Sequence, residues 1–120
     1  MEITLRELVE SEQALANLAQ SRQPVKTAYR ISRLLRLAEP ELKAFYEARR
    51  TLLERFGTAQ ENGQYRIEPG KIAAFEKELS ALLDEKITFE VAPVSIEDLQ
   101  GEISASDLVA MEWFLDGTGE

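Results

Sequence analysis

Residues 25–56 read VKTAYRISRLLRLAEPELKAFYEARRTLLERF, and this stretch decides the fold. Ala28, Ile31, Leu35, Ala38, Leu42, Phe45, Leu52 and Phe56 recur in steps of three and four, with Arg49 alone out of series. That spacing puts apolar groups along one side of a helix and predicts a coiled-coil-like seam over Val25–Phe56. Pro24 suits a helix start, and Gly57 suits a left-handed C-cap at its end. Pro40 lies inside the run. It removes one backbone bond and predicts a bend, since the apolar seam continues in phase across it.

Working outward, Thr4 and Glu7 form a capping-box pair. Leu5, Leu8, Leu15 and Leu18 then predict a helix to about Gln20. The short connection Ser21-Arg22-Gln23 makes this helix and the long one an antiparallel hairpin. On the other side, Asn62-Gly63 predicts a two-residue β-turn between about Ala59–Glu61 and Gln64–Ile67. Ile72, Phe75, Leu79, Leu82 and Leu83 predict a third helix to about Asp84. In Lys86–Ala92, Ile87, Phe89 and Val91 alternate with polar residues, as in a half-buried strand. Ser95 with Asp98 predicts one helical turn to Gly101. Ser104 with Asp107 opens a short C-terminal helix carrying Met111, Trp113 and Phe114. The expected fold is α+β and mainly helical, a single domain over residues 1–120. Its small sheet is built from Lys86–Ala92 and the 58–68 hairpin, with Ile3 at its edge.

A straight 32-residue helix spans about 48 Å, against a diameter of about 28–30 Å for a compact domain of this length. The long helix is therefore expected to protrude, bend or be covered by a partner.

The 120-residue chain has 14 Lys+Arg against 22 Asp+Glu, a net charge of −8. The cations are unevenly placed. After Thr58 only Arg66, Lys71, Lys77 and Lys86 remain, whereas residues 22–36 contain Arg22, Lys26, Arg30, Arg33 and Arg36 and no acid. Lys26, Arg30, Arg33 and Arg36 are spaced four, three and three apart, roughly one face of a helix. Such a face either pairs with the chain's own acids and solvent, or meets an anionic partner. An acidic protein, including a second copy of the chain, fits better than nucleic acid. The net negative charge repels phosphates at long range, and no nucleic-acid reading motif is present.

Met111, Trp113 and Phe114 are the second candidate. Such side chains anchor interfaces, and equally dock a terminal helix on its own core. The acids Glu76, Glu78, Asp84, Glu85, Glu97 and Asp98 read as a solvated face, and Tyr29, Tyr46 and Tyr65 as amphipathic packing residues.

Cys and His are both absent. Disulfides, thiolate chemistry, histidine base catalysis and Cys/His zinc sites are thereby excluded. No loop has calcium-binding spacing and none is a Gly-rich phosphate loop. No metal, cofactor or small-molecule substrate is expected, and no enzymatic activity. No 18-residue apolar run is present to cross a membrane, and the N-terminus has acids where a signal peptide needs bases. Cytoplasmic residence follows as the expectation.

The order of features also resembles a family. The run from Val25 to Leu35 precedes a Glu/Arg-rich helix from Glu47 to Phe56. An Asn-Gly turn follows, then Phe75-Glu76-Lys77-Glu78-Leu79-Ser80-Ala81-Leu82-Leu83-Asp84-Glu85 before a strand with Ile87 and Phe89. Over residues 24–92 this is similar to a family of small proteins of unknown function encoded by tailed bacteriophages and prophages. The family has no assigned catalytic residues, so none carry over. The resemblance implies a phage or prophage protein in the host cell or virion that acts by binding protein, as an assembly factor, a minor virion component or a modifier of a host protein. The alternative is a nucleic-acid-binding regulator using the basic face.

Overall fold

In the computed structural model, which describes residues 1–116, the chain is an α+β protein built on one long helix. Among the described residues the α-helices are α1 (Leu5–Glu10), α2 (Glu12–Gln20), α3 (Val25–Phe56), α4 (Ile72–Leu83) and α5 (Ala105–Ala110). The short strands among them are β1 (Glu2–Thr4), β2 (Gly57–Ala59), β3 (Tyr65–Ile67), β4 (Lys86–Thr88), β5 (Val94–Ser95) and β6 (Leu115–Asp116). Single 3-10 turns occupy Pro69–Lys71 and Ile96–Asp98.

Helix α3 runs unbroken through Pro40 for 32 residues, and Pro24 stands one position before its first residue. The molecule measures 50 × 28 × 24 Å. Its radius of gyration is 17.1 Å, against about 14 Å for a compact chain of this length. The short axes are those of a compact domain, and α3 supplies the long one. Among the described residues, no helix is long and apolar enough to cross a membrane.

The N-terminal cap forms as read. Glu7 N donates to Thr4 Oγ1 at 3.2 Å, and Thr4 N donates to Glu7 Oε1 at 3.1 Å. The single helix expected after it is two. Ser11 separates α1 from α2, fully buried, its hydroxyl donating to Leu8 O at 2.8 Å. A serine hydroxyl that returns to the preceding turn competes with helix continuation.

The three strand pairs form three separate sheets, not the one sheet expected. β1 pairs antiparallel with β4, Ile3 opposite Ile87. Met1 and Phe89 extend that ladder, with Phe89 N donating to Met1 O at 2.9 Å. β2 and β3 form their own hairpin. Its turn has three residues, 61–63. Gln60 N donates to Gln64 O, and Gly63 has φ +82°. Asn62 keeps a negative φ, so the two-residue turn that needs both positions left-handed does not form.

Gly57 is extended, with φ −120°, and opens β2 instead of capping α3 in the left-handed region. Glycine is still needed there, because a Cβ would lie 2.8 Å from Leu53 O.

One apolar cluster forms the core. Leu5, Leu8, Leu15 and Leu18 meet Ile31, Leu34, Ala38 and Phe45 of α3, with Ile87, Phe89, Val94, Met111 and Phe114 closing the other side. The seam is rotated from the expected one at its start. Thr27 and Leu34 are buried and Ala28 is exposed. From Tyr46 to Lys86 no residue is buried, so α4 and the hairpin pack only by half-buried groups such as Phe56, Phe75 and Leu79.

The chain leaves helix earlier than expected at its C-terminal side. Helix α5 ends at Ala110, Phe114 N turns back to Met111 O at 2.8 Å, and β6 pairs parallel with β5.

Candidate functional site

Two surfaces follow from how α3 is seated. The first is the outward side of its N-terminal half. Burial of Thr27, Ile31, Leu34 and Ala38 turns the opposite side to solvent, and Lys26, Arg30, Arg33 and Arg36 are all exposed there. Among the described residues Lys26, Arg33 and Arg36 make no ion pair. Arg30 Nη1 lies 4.0 Å from Asp98 Oδ2, both side chains about half exposed, a contact worth little in water.

The segment carrying Asp98 is fixed to the start of α3 by other bonds. Gln23 Nε2 donates to Gln100 O at 2.8 Å, and Gln100 N donates to Gln23 Oε1 at 2.8 Å. Thr27 Oγ1 donates to Asp98 O at 3.3 Å. The basic helix start is therefore pinned on one side and open on the other.

Sequence reasoning missed the apolar members of this face. Val25 is 86% exposed and Tyr29 61% exposed, so Tyr29 is not the packing residue expected. The missed signal was spacing: Val25, Tyr29 and Arg33 are four apart, which stacks them on one helical side.

The tail candidates are placed elsewhere. Met111 and Phe114 are 1% and 0% exposed and belong to the core, so neither offers a partner any surface. The expectation that they anchor an interface gives way, because the turn after α5 folds both inward against the chain. Trp113 is half-buried, its ring near those of Phe89 and Phe114, with centroids at 6.3 and 5.8 Å. Its Nε1 is buried with no acceptor among the described residues.

The second surface is a groove between α3 and α4. About 500 Å³ in volume and open to solvent, it is lined by Ala48, Thr51, Leu52, Ala81 and Leu82, with Glu78 and Glu85 at its margin. Both glutamates are exposed and without an ion pair among the described residues. Nearby, the Phe56 and Phe75 rings meet edge to face at 6.3 Å. Of the acids expected to be solvated, Glu76, Glu78, Asp84, Glu85, Glu97 and Asp98 are all exposed.

A further pocket, where α3 meets the hairpin, is lined by Tyr46, Arg49, Arg50 and Tyr65. Its groups are largely spoken for. Arg50 Nε donates to Glu54 Oε1 at 3.1 Å, which raises the guanidinium pKa. The Tyr46 hydroxyl donates to Glu12, and its pKa is raised by that bond first, then by burial and the carboxylate charge, with Arg49 opposing. Among the described residues no group of three or more Asp or Glu is placed to hold a metal ion.

Comparison with protein-family models, with curated proteins and with solved structures finds no match for this chain.

Proposed function

We propose that this chain is a non-catalytic interaction protein of phage or prophage origin, and that the open side of α3 is its contact surface. It would serve as an assembly factor, a minor virion component or a modifier of a host protein, working in the host cytoplasm or carried in the virion. One observation carries the proposal: Lys26, Arg33 and Arg36 stand exposed and unpaired among the described residues, beside exposed Val25 and Tyr29, in a chain with eight more acids than bases. Cations flanking an aromatic ring suit an acidic protein surface with apolar relief, where charge sets rate and specificity and the ring supplies area. We take α2 and α3 as the antiparallel hairpin that props this face outward. Glu12, at the start of α2, bonds Tyr46, and the other end of α2 leads directly into α3.

The test is a charge reversal. Arg30→Glu with Arg33→Glu should weaken binding to a protein recovered by the wild-type chain at least tenfold in calorimetry. The melting temperature should stay within about 2 °C, since exposed charges away from the core contribute little to stability. Equal affinity for both chains would remove this face from the proposal.

The alternative, a nucleic-acid-binding regulator, draws support from Tyr29 standing among cations, an arrangement suited to stacking a base. It requires a complex in a gel shift at low salt that fades steeply as salt rises. No complex at low salt rules it out.

A further inference from the structure

The cationic face and the acidic groove lie on the same side of α3. At 100° per residue, Lys26, Arg30, Arg33, Leu37, Ala44 and Ala48 all fall within about 60° of azimuth. Five of them are exposed and Ala48 is half-buried, so the stripe is open to solvent from end to end. Its first part carries the cations. Its middle carries exposed Leu37 and Ala44, with exposed Pro40 and Glu41 at its two edges. Its last part becomes the wall of the α3–α4 groove, with Glu78 and Glu85 at the margin. From Arg30 to Thr51 the stripe covers about 30 Å along the helix axis.

A cationic half and an anionic half in line on one side of a rod are self-complementary only when two rods run antiparallel. We infer that the partner of this face is a second copy of the chain, in an antiparallel two-fold dimer whose axis crosses α3 near Pro40. This rests on the proposed contact role of the basic face and names its occupant.

In such a pairing, positions on the two α3 helices that sum to about 81 lie level. Arg33 comes level with Ala48 of the other copy, and Arg30 with Thr51. The groove residues place the acids at those levels. Phe56 meets Phe75, and Ala48 shares the groove with Leu82 and Glu85, so Glu85 flanks the Ala48 end and Glu78 the Leu52 end. Arg33 thus faces Glu85 and Arg30 faces Glu78, and the two-fold makes each contact twice. Leu37 meets Ala44, where small side chains let the backbones approach. The contact is isologous and closes at two copies, without the open-ended growth of a head-to-tail contact. Lys26 comes level with Arg55 of the other copy, an exposed like pair at the outer ends of the contact, whereas a parallel pairing would set every cation of the basic face against its own mate.

The test uses reversal on each half. At about 0.15 M salt, where the Debye length of about 8 Å screens the net charge of the chains, sedimentation equilibrium of the wild type should give twice the chain mass of 13.6 kDa. R30E/R33E and E78K/E85K should each sediment as monomers with unchanged circular dichroism, all four positions being exposed. Mixing the two variants should restore the dimer, because native meets native at one contact and swapped meets swapped at the other. Direction is tested by cross-linking, as the chain has no cysteine of its own. Glu41→Cys, near the two-fold, should form a disulfide-linked dimer, and Thr51→Cys, about 30 Å from its mate, should not.

A monomeric wild type at about 1 mM chain, no restoration on mixing, or efficient self-linking of Thr51→Cys overturns the inference. The wider proposal is judged separately. E78K/E85K keeps the basic face intact, so a chain that stays monomeric yet loses a foreign partner on R30E/R33E refutes the dimer alone.

Discussion

The two ends of α3 live in different surroundings. Toward its start, Ile31, Leu34 and Ala38 are buried in the core, on the side where α3 meets α1, α2 and β5. Toward its finish, Leu52, Leu53 and Phe56 meet α4 and a three-residue-turn hairpin, and nothing from Tyr46 to Lys86 is buried. The same amphipathic helix thus serves as core at one end and as half-covered scaffold at the other. The difference teaches where this chain keeps its stability and where it has surface to offer. Removing apolar area costs in proportion to the water excluded from it, so the first end should dominate unfolding.

Truncation at matched residue type gives the sharpest contrast. Phe114→Ala, in the fully packed end, should cost about 3–5 kcal/mol, and Phe75→Ala, in the half-covered end, about 1–2 kcal/mol, by urea denaturation. Equal costs would erase the distinction between the ends.

Gly57→Ala tests whether the distal end has any rigid point. Its Cβ would press on Leu53 O at 2.8 Å and Arg66 O at 3.1 Å, both backbone atoms. A loss of about 1–3 kcal/mol is expected, with the hairpin displaced from α3 and amide exchange speeding up first in residues 57–67. Unchanged exchange there would mean that the hairpin gives way without cost.

At the packed end, Thr4→Ala removes one half of the reciprocal cap and should cost about 1 kcal/mol in the same denaturation measurement. A neutral result would show that β1–β4 pairing alone sets the start of α1.

The smallest effect bridges the two ends. Tyr46 donates to Glu12, and its pKa is raised above the ordinary 10.0. A raised value means that the bond's stabilisation is complete below pH 10 and is lost as pH climbs through the folded-state value. Tyr46→Phe should flatten that alkaline decline and cost about 0.5 kcal/mol at neutral pH, because the ring is 43% exposed and water screens the contact. An identical decline in both proteins would assign the alkaline loss to other groups.

What was legible in the chain follows the range of the interaction concerned. Val25 and Phe56 bound α3 as the periodicity predicts, and Thr4 with Glu7 and Ser104 with Asp107 cap as expected, because these contacts lie within one or two turns. Misreadings cluster where a distant segment decides. Ser11 breaks a helix whose spacing is continuous, because the segments packed around it bury its hydroxyl and leave it to bond Leu8 O. Met111 and Phe114 read either as interface anchors or as a helix docked on the core, and the second reading is the one found, because the chain turns to set Leu115 beside Val94. The groove at Ala48 and Leu82 has no sequence signal, since its two walls lie some thirty residues apart and meet only through packing.

By itself the sequence determined a rod of helix whose first turns carry cations without acids, with acids gathered beyond its other end, since periodicity and charge are local and countable. Tertiary structure decided which side of that rod turned inward, leaving Tyr29 and Arg33 in water and Thr27 and Leu34 out of it. Burial is a contest among all segments for the same apolar contacts, and no single segment's pattern sets its outcome.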